Sequence, residues 1–166
     1  WFGDIDGAEL GQALAENTSL TRLQLDGCHV GARGLRGIAE ALCTIKTLAF
    51  IDIQHMRLGD TGAEIMANVL ASTSSSLTEF KLPYCGVGVL GSQAVSCALK
   101  TDTCLKTISF KGNKIGNAGA TALAHALASN SSLVEIYLSL CVIGADGSRA
   151  IADALEANAC LVTITL

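Results

Sequence analysis

The sequence predicts an α/β solenoid, a stack of similar units that each contribute one parallel strand and one helix. The first observation is a pattern, Leu-x-x-[Leu/Ile/Phe]-x-[Leu/Ile/Phe], that recurs every 28 or 29 residues along the chain. The second is that apolar residues at helical spacing follow each recurrence, so the hydrophobic period changes from two to about 3.6 within every unit. A single unit of this kind cannot bury its apolar face, whereas stacked units bury a continuous core.

The first half of each unit is expected to be a strand. Each pattern opens with a leucine, and these are Leu20, Leu48, Leu77, Leu105, Leu133 and Leu161. The next two anchors alternate with other residues, as in a strand with one buried face. They are Leu23 and Leu25, Ile51 and Ile53, Phe80 and Leu82, Ile108 and Phe110, Ile136 and Leu138, and Ile164 and Leu166. Strands are therefore expected near residues 22–25, 50–53, 79–82, 107–110 and 135–138, on the concave side because strands stack more closely than helices.

The second half of each unit is expected to be a helix on the convex side. Its apolar pairs lie four residues apart, at Ile38 and Leu42, Met66 and Leu70, Val95 and Leu99, Leu123 and Leu127, and Ile151 and Leu155. Helices are expected near residues 33–43, 61–71, 90–100, 118–128 and 146–156. Five Gly-x-x-Gly pairs stand in register before or within them, at Gly31/Gly34, Gly59/Gly62, Gly88/Gly91, Gly116/Gly119 and Gly144/Gly147. We interpret these pairs as loop-to-helix turns that need a tight or left-handed backbone.

Short loops are expected to return the chain from each helix to the next strand. Asn17 and Asn130 match the glycosylation acceptor pattern. Both lie at the same position before an anchor leucine, so we interpret them as turn residues that tolerate a left-handed backbone. The longer repeat contains Ser74, Ser75 and Ser76, which predict a slightly extended return loop.

The repeats predict one domain over residues 1–166. It holds about five full repeats of 28–29 residues and a partial repeat at each end, where Leu10 and Leu14 supply the first helix. Solenoids normally have polar capping repeats, and no such repeat is visible here. We therefore expect this domain to be a segment of a longer array.

Charge and hydropathy exclude several classes. The net charge of −4 argues against nucleic acid as a partner, because a basic face would be expected. The apolar runs are far shorter than the roughly 20 residues of a membrane span. No P-loop motif occurs. The three histidines, His29, His55 and His125, occupy unrelated positions of the repeat, with His125 expected on an exposed helix face. No catalytic residue, cofactor, metal site or small-molecule substrate is therefore expected.

The seven cysteines are expected to be free thiols in a reducing compartment. Cys28, Cys85 and Cys141 share one repeat position, two repeats apart, which separates them by about 10 Å. That distance exceeds the roughly 7 Å limit between the Cα atoms of a disulfide. An odd number of cysteines without a Cys-x-x-Cys pair fits neither a disulfide framework nor a zinc site. We interpret all seven as small buried hydrophobic residues.

The repeat resembles the leucine-rich repeat, in the long helix-bearing form of the ribonuclease-inhibitor type. The stretch from Asn113 to Leu123 is similar to the repeats of NOD-like receptors and related cytosolic and ciliary proteins. One position alternates between cysteine and other residues, in the order Cys28, Met56, Cys85, Asn113 and Cys141, as in the two alternating repeat types of ribonuclease inhibitor. The resemblance implies a horseshoe segment that binds a protein without catalysis. It implies a cytoplasmic location, with a ciliary or cytoskeletal assembly among the settings. Two alternatives stay open: a GTPase-activating protein of the Ran-activating type acting in trans, and a ribonuclease-inhibitor-like binder.

The concave face holds the candidate binding residues. Side chains between the anchors should point away from the core, which places the aromatic residues Phe50, Tyr84 and Tyr137 in solvent. Exposed aromatic residues are typical interface anchors. Phe50 lies too far along its strand to belong to the patch around Tyr84.

We expect the partner to dock where the strands end. The candidate residues are His55, Tyr84, Lys111 and Leu140, with Tyr137 and Glu135 as flanking contacts. His55 and Tyr84 should be about 5 Å apart as row neighbours. Gly112 lies between Tyr84 and Leu140 and should leave a shallow gap for a partner side chain, with Lys111 beside it to pair with an acidic group.

Overall fold

The computed structural model describes residues 3–72 and 76–166, which form alternating helices and strands. The helices are α1 (Asp4–Ala15), α2 (Ala32–Leu42), α3 (Gly59–Leu70), α4 (Val89–Leu99), α5 (Gly116–Leu127) and α6 (Ala145–Ala157). The strands are β1 (Arg22–Asp26), β2 (Phe50–Gln54), β3 (Glu79–Lys81), β4 (Thr107–Ser109), β5 (Glu135–Tyr137) and β6 (Thr163–Thr165). The predicted elements are confirmed to within two residues at every boundary.

The strands form one parallel sheet in chain order, β1-β2-β3-β4-β5-β6. Its register aligns the repeat, because Leu23 pairs with Ile51 and Phe80 pairs with Ile108. Backbone hydrogen bonds continue one residue beyond the short strands, as where the Leu82 N–H donates to the Ser109 carbonyl at 2.9 Å. The sheet does not close into a barrel, because β1 and β6 each pair with a single neighbouring strand. The units are thus stacked in chain order. The predicted solenoid fold is therefore confirmed.

The core lies between the sheet and the helices. The middle strand anchors Ile51, Phe80 and Ile108 are fully buried, and so are helix residues such as Met66 and Leu123. Burial of a large apolar side chain contributes roughly 1.5–3 kcal/mol. Burial of these anchors between the sheet and the helices therefore contributes much of the stability of the stack.

Every helix packs against the next one, and in three helix pairs a polar side chain from the first helix also caps the second. The Oδ1 atom of Asp60, in α3, accepts hydrogen bonds from the N–H groups of Gly88 and Gly91, at 2.7 and 2.8 Å. Asp4 and Asn117 accept from N–H groups at the start of α2 and α6 in the same way. These bonds satisfy donors that a helix N-terminus leaves open. The pairs α1/α2, α3/α4 and α5/α6 follow the alternation that the cysteine position indicated.

The glycine pairs serve two purposes, of which the sequence predicted one. Gly59 and Gly116 have a φ of 60° and make the left-handed turn that opens α3 and α5. The first glycines before α2, α4 and α6 are extended instead, so of the two expected conformations, tight or left-handed, the left-handed one does not occur there. The second glycine of each pair lies inside the helix, where helices approach closely. A Cβ on Gly91, for example, would lie 2.8 Å from the Cβ of Ala63.

The asparagines of the return loops act through their side chains. Oδ1 of Asn130 accepts from the N–H groups of Ser132 and Leu133, at 3.0 and 2.8 Å, and its Nδ2 donates to the Leu99 carbonyl at 2.7 Å. Asn17 makes the same turn. The turn role is thus confirmed, but the expected left-handed backbone is wrong, since neither asparagine has a positive φ. Of the predicted extended return loop, Ser74 and Ser75 lie outside the described residues.

No helix among residues 3–72 and 76–166 is long and apolar enough to cross a membrane. Every helix has 13 residues or fewer. This agrees with the short apolar runs of the sequence.

Candidate binding surface

A row of left-handed residues follows the strands on the concave side. It consists of Gly27, His55, Tyr84, Gly112 and Leu140, with φ values between 52° and 71°. Backbone hydrogen bonds hold these residues in line, since the N–H of Tyr84 donates to the Lys111 carbonyl at 2.8 Å and the N–H of Gly112 to the Ser139 carbonyl at 2.9 Å. The left-handed turn ends each strand and starts the loop toward the next helix. The sequence analysis placed His55, Tyr84, Gly112 and Leu140 in one row but did not predict their backbone conformation.

His55 and Tyr84 stack in this row. Their ring centroids are 5.0 Å apart and their planes differ by 4°. The expected spacing is thus confirmed, and the contact is a parallel stack between two exposed rings, Tyr84 being 40% exposed. Such aromatic pairs contribute about 0.5–1.5 kcal/mol beyond the area that they bury. The stack forms a rigid platform at the ends of β2 and β3.

The expected gap at Gly112 is wrong. The ring of Tyr84 leans over Gly112, and a Cβ built on that glycine would collide with Cδ1 and Cε1 of the ring. Tyr84 is thus held between His55 on one side and the Gly112 backbone on the other. The absence of a side chain at Gly112 makes room for Tyr84 itself rather than for a partner.

The C-terminal end of the row is apolar and exposed. Leu140 is 68% exposed and Val142, two residues further along the same loop, is 71% exposed. Val142 is also left-handed, with a φ of 58°. Lys111 is exposed beside them. Sequence reasoning missed Val142 because it belongs to no strand position, and only its backbone conformation singles it out.

Phe50 is buried, so its predicted exposure is wrong. Only 5% of its surface is accessible, although it lies on the concave side and outside the apolar core. The Arg22 guanidinium lies 3.7 Å from the centroid of its ring, and Lys81 Nζ lies 5.0 Å away. Long cationic side chains cover apolar surface with their stems and hold cation–π contacts with their heads. Phe50 is therefore unable to anchor a partner in this conformation.

Polar contacts hold the flanking residues Tyr137 and Glu135. The Tyr137 hydroxyl donates to Oε2 of Glu135 at 3.1 Å, and the Thr107 hydroxyl donates to the same oxygen at 3.2 Å. The hydrogen bond to Glu135 raises the pKa of Tyr137, because ionisation would place two negative groups together. Lys81 pairs with Glu79 at 2.7 Å on the neighbouring strand. The concave surface beside the row is thus a polar network.

The repeat position occupied by Cys85 and Cys141 lies beneath the row and is buried in the centre of the stack. The thiols of Cys85 and Cys141 donate to the carbonyls of Ile53 and Phe110 at 3.0 and 3.1 Å, and both residues are buried. Burial raises the pKa of Cys85 to about 11. The expectation that every cysteine is buried is wrong for the other five, because Cys28, Cys43 and Cys160 are half-buried. The largest departures are Cys97 and Cys104, which are exposed. The cause is their place on an outward helix face and in a return loop.

All seven cysteines are free thiols in the structure. Among the described residues, no group of three or more His, Cys, Asp or Glu side chains could hold a metal ion. His125 lies on an exposed face of α5, as expected. The absence of catalytic, cofactor and metal sites stays a prediction.

A family profile described as Leucine Rich repeat matches residues 16–39, 101–124 and 129–152. The bovine Tonsoku-like protein is 34% identical over 122 residues, which are 69% of this chain and 9% of that protein. Ribonuclease inhibitor from pig is 28% identical over 117 residues, 70% of this chain and 26% of that protein.

This chain is a leucine-rich repeat protein of the ribonuclease-inhibitor-like kind.

A further relative is the mouse NACHT, LRR and PYD domains-containing protein 12, which is 26% identical over 98 residues, 59% of this chain and 9% of that protein. This leucine-rich repeat chain thus spans about a tenth of the length of the first relatives it matches. Among solved structures, the tropomodulin C-terminal domain of Caenorhabditis elegans superposes with a TM-score of 0.74 at 16% identity. The superposition covers 92% of this chain and 93% of that one, and it supports the fold.

Proposed function

We propose that this chain is a non-catalytic interaction scaffold that binds a protein partner where the concave strands end. The contact residues are His55, Tyr84, Lys111 and Leu140, with Tyr137 and Glu135 at the flank. Leucine-rich repeats are in general protein-interaction scaffolds, and the choice of this face and of these residues is the proposal.

The observation that carries the proposal is the backbone conformation of the row. His55, Tyr84, Leu140 and Val142 are the non-glycine residues with positive φ among the described residues, and all four lie at this edge. A residue with a Cβ loses about 1–2 kcal/mol in the left-handed region, whereas glycine, as at Gly112, does not. Strain of this kind concentrates at ligand-binding positions, where the side chain has a use outside the fold.

The side chains in question suit an interface. Tyr84 is a large amphipathic ring whose position is fixed by His55 and Gly112, so little conformational entropy is lost when a partner binds. Leu140 offers an apolar contact that the fold leaves in water. An aromatic anchor beside an exposed aliphatic residue, within a polar surround, has the composition of an interface hot spot.

The setting that we propose is a reducing compartment, in practice the cytoplasm. Seven free thiols, two of them exposed at Cys97 and Cys104, would be prone to oxidation outside it. A place in a ciliary or cytoskeletal assembly is one form that such a scaffold takes. Thiol quantification in denaturant without reductant should return all seven thiols of the chain. A lower count would contradict the proposed compartment.

The proposed site is tested by comparing captured proteins. The parent chain, a Tyr84→Ala/Leu140→Ala double variant and a Val162→Ala control are immobilised and exposed to cell extract, and bound proteins are quantified by mass spectrometry. Val162 is 80% exposed in a return loop, at the opposite edge of the stack. A partner retained by the parent and the control should bind the double variant about 30-fold or more weakly, since a lost anchor costs roughly 2 kcal/mol. Equal retention by all three proteins would refute this site.

A further inference from the structure

Acidic residues are unevenly distributed over the stack. Nine of the fifteen acidic residues lie in the helices, at Asp4, Asp6, Glu9, Glu40, Asp60, Glu64, Asp146, Asp153 and Glu156. The loops that lead from each strand to the next helix, residues 27–31, 55–58, 82–88, 110–115 and 138–144, contain no acidic residue at all. We call these loops the loop edge. It carries the cations Arg57, Lys111 and Lys114. Acidic residues lie in the first turns of α1, α3 and α6, which begin at the same edge, whereas the first turns of α4 and α5 hold none. The positive part of the edge is therefore the stretch from Arg57 to Lys114.

All three cations of the loop edge are exposed, and none takes part in the described salt bridge between Lys81 and Glu79. The acidic residue closest along the chain to Arg57 is Asp60, whose Oδ1 is occupied by the N–H groups of Gly88 and Gly91. Because the units are parallel, helices α2–α6 all begin at this edge, and their dipoles add positive potential there. The stretch from Arg57 to Lys114 therefore favours a negatively charged ligand.

Two hollows at the loop edge share the side chains of His55 and Arg57 in their linings. One, of about 500 Å³, is lined by His55, Arg57 and Tyr84, and the other, of about 260 Å³, by His29, His55 and Arg57. The stacked rings of His55 and Tyr84 are the part of the loop edge that adjoins the concave face, and Arg57 lines both hollows. A carboxylate that enters either hollow meets a guanidinium, which is the strongest carboxylate partner among side chains.

The exposed apolar residues Leu140 and Val142 at one end of the loop edge favour an acidic peptide over a nucleic acid as the ligand. Leu140 and Val142 extend the surface past Lys111 and Lys114 with exposed aliphatic groups. A nucleic acid would offer phosphates to the cations and nothing to these two side chains, and it would face repulsion from the net charge of −4. A peptide offers carboxylates and apolar side chains on one backbone.

We infer that the partner contributes a peptide segment rich in Asp and Glu, with interspersed apolar residues, that lies along the loop edge from Arg57 past Tyr84 to Val142. This inference rests on the proposed function and names the chemistry of the segment that the site takes. Carboxylates pair with Arg57, Lys111 and Lys114, and apolar side chains contact Tyr84, Leu140 and Val142.

The test uses two peptide pools. Peptides of about twelve residues, the length of a typical linear recognition segment, contain Glu and Leu in scrambled order within a Gly/Ser background. The second pool has Gln in place of every Glu. Both are passed over the parent chain, an Arg57→Gln/Lys114→Gln variant and a Lys46→Gln/Lys100→Gln control, which removes the same charge from exposed positions at the opposite edge. Thermal unfolding verifies that all variants are folded.

We expect the parent and the control to retain the Glu pool over the Gln pool, and the Arg57→Gln/Lys114→Gln variant to reduce that preference about threefold to thirtyfold, as for two exposed charge pairs. Raised salt should reduce the preference of the parent as well. A parent without a Glu preference, or a preference that survives in the Arg57→Gln/Lys114→Gln variant, overturns the inference. So does stronger retention of an oligothymidylate of the same length.

The Tyr84→Ala/Leu140→Ala variant separates this inference from the proposed function. If retention of both pools by the parent depends on Tyr84 and Leu140 without a Glu preference, the proposed site stands and the acidic segment is wrong. If the Glu preference depends on Arg57 and Lys114 while the Tyr84→Ala/Leu140→Ala variant binds as the parent does, the acidic segment stands and the proposed anchors are wrong.

Discussion

Phe50 and Tyr84 are two aromatic residues on the concave side whose sequence positions favour exposure equally, yet they differ in the structure. Phe50 is 5% exposed beneath Arg22 and Lys81, whereas Tyr84 is 40% exposed against His55. The difference arises from the residues beside them in the neighbouring repeats, 28 to 31 positions away in the chain. Long cations cover one ring, while a second aromatic ring and a glycine leave one surface of the other open.

The period-two pattern of a strand therefore determines on which side of the sheet a residue lies, but it does not determine how exposed the side chain is. Phe50 lies within a strand, flanked on both sides by neighbours that can reach over it. Tyr84 lies in the left-handed turn after its strand, where the backbone directs its side chain along the row. Buried and exposed aromatic residues on one face thus have different uses, stability for Phe50 and proposed recognition for Tyr84.

The largest loss of stability is expected for a substitution at Phe80, and it provides the reference for the substitutions at Phe50 and Tyr84. It is fully buried in the core, on the strand that follows that of Phe50. Phe80→Ala should lower the free energy of unfolding by about 3–5 kcal/mol, through lost transfer energy and a cavity. Urea unfolding followed by circular dichroism measures this. A change below about 1 kcal/mol would contradict the core that the register implies.

Phe50→Ala should have the next largest effect, a loss of about 2–3 kcal/mol from lost apolar burial and cation–π contacts. Its cost is smaller than that of Phe80 because Arg22 and Lys81 can collapse onto the space. Phe50→Leu is the matched control and should restore most of the burial. If Phe50→Ala instead abolished partner binding with stability unchanged, the contrast with Tyr84 would be lost.

Substitutions at Tyr84 measure the strain of its left-handed backbone, which Phe50 does not have. Tyr84→Ala keeps a Cβ at a φ of 55°, whereas Tyr84→Gly removes it. The glycine variant should be more stable than the alanine variant by about 1 kcal/mol, because left-handed backbone suits glycine. The same pair of substitutions at Phe50, within a strand, should show the reverse order, since glycine weakens strands. Equal stability of Tyr84→Gly and Tyr84→Ala would remove the strain argument.

Cys85 tests burial next to an exposed residue, since it directly follows Tyr84 in the chain but is itself buried. Its pKa is about 11 in the folded chain against an ordinary value of 9.0. As pH rises above 9, the unfolded thiol loses its proton while the folded thiol keeps it, so the free energy of unfolding falls with rising pH up to about 11. Cys85→Ala should flatten that dependence, and Cys97→Ala, at an exposed position, should leave it unchanged. A steeper dependence in Cys85→Ala would contradict the buried thiol.

Sequence alone predicted the repeat, the strands, the helices and the row that contains His55 and Tyr84. These features follow from hydrophobic period, which is local, and from a repeat length that places equivalent residues side by side. Arg57 and Lys114 were also within reach of the sequence, through a comparison of charge between loops and helices. The turn role of Asn130 was predicted, although with the wrong backbone conformation.

Only the tertiary structure decided which side chains the neighbours cover. Phe50 is buried because Arg22 and Lys81, from the two flanking strands, both approach its ring, and Gly112 leaves no gap because Tyr84 leans across it. Neither outcome follows from a hydrophobic period, since each depends on side-chain directions in two or three repeats at once. The sequence by itself determined the solenoid and the order of its rows, and packing between repeats decided which residues of those rows remain open to a partner.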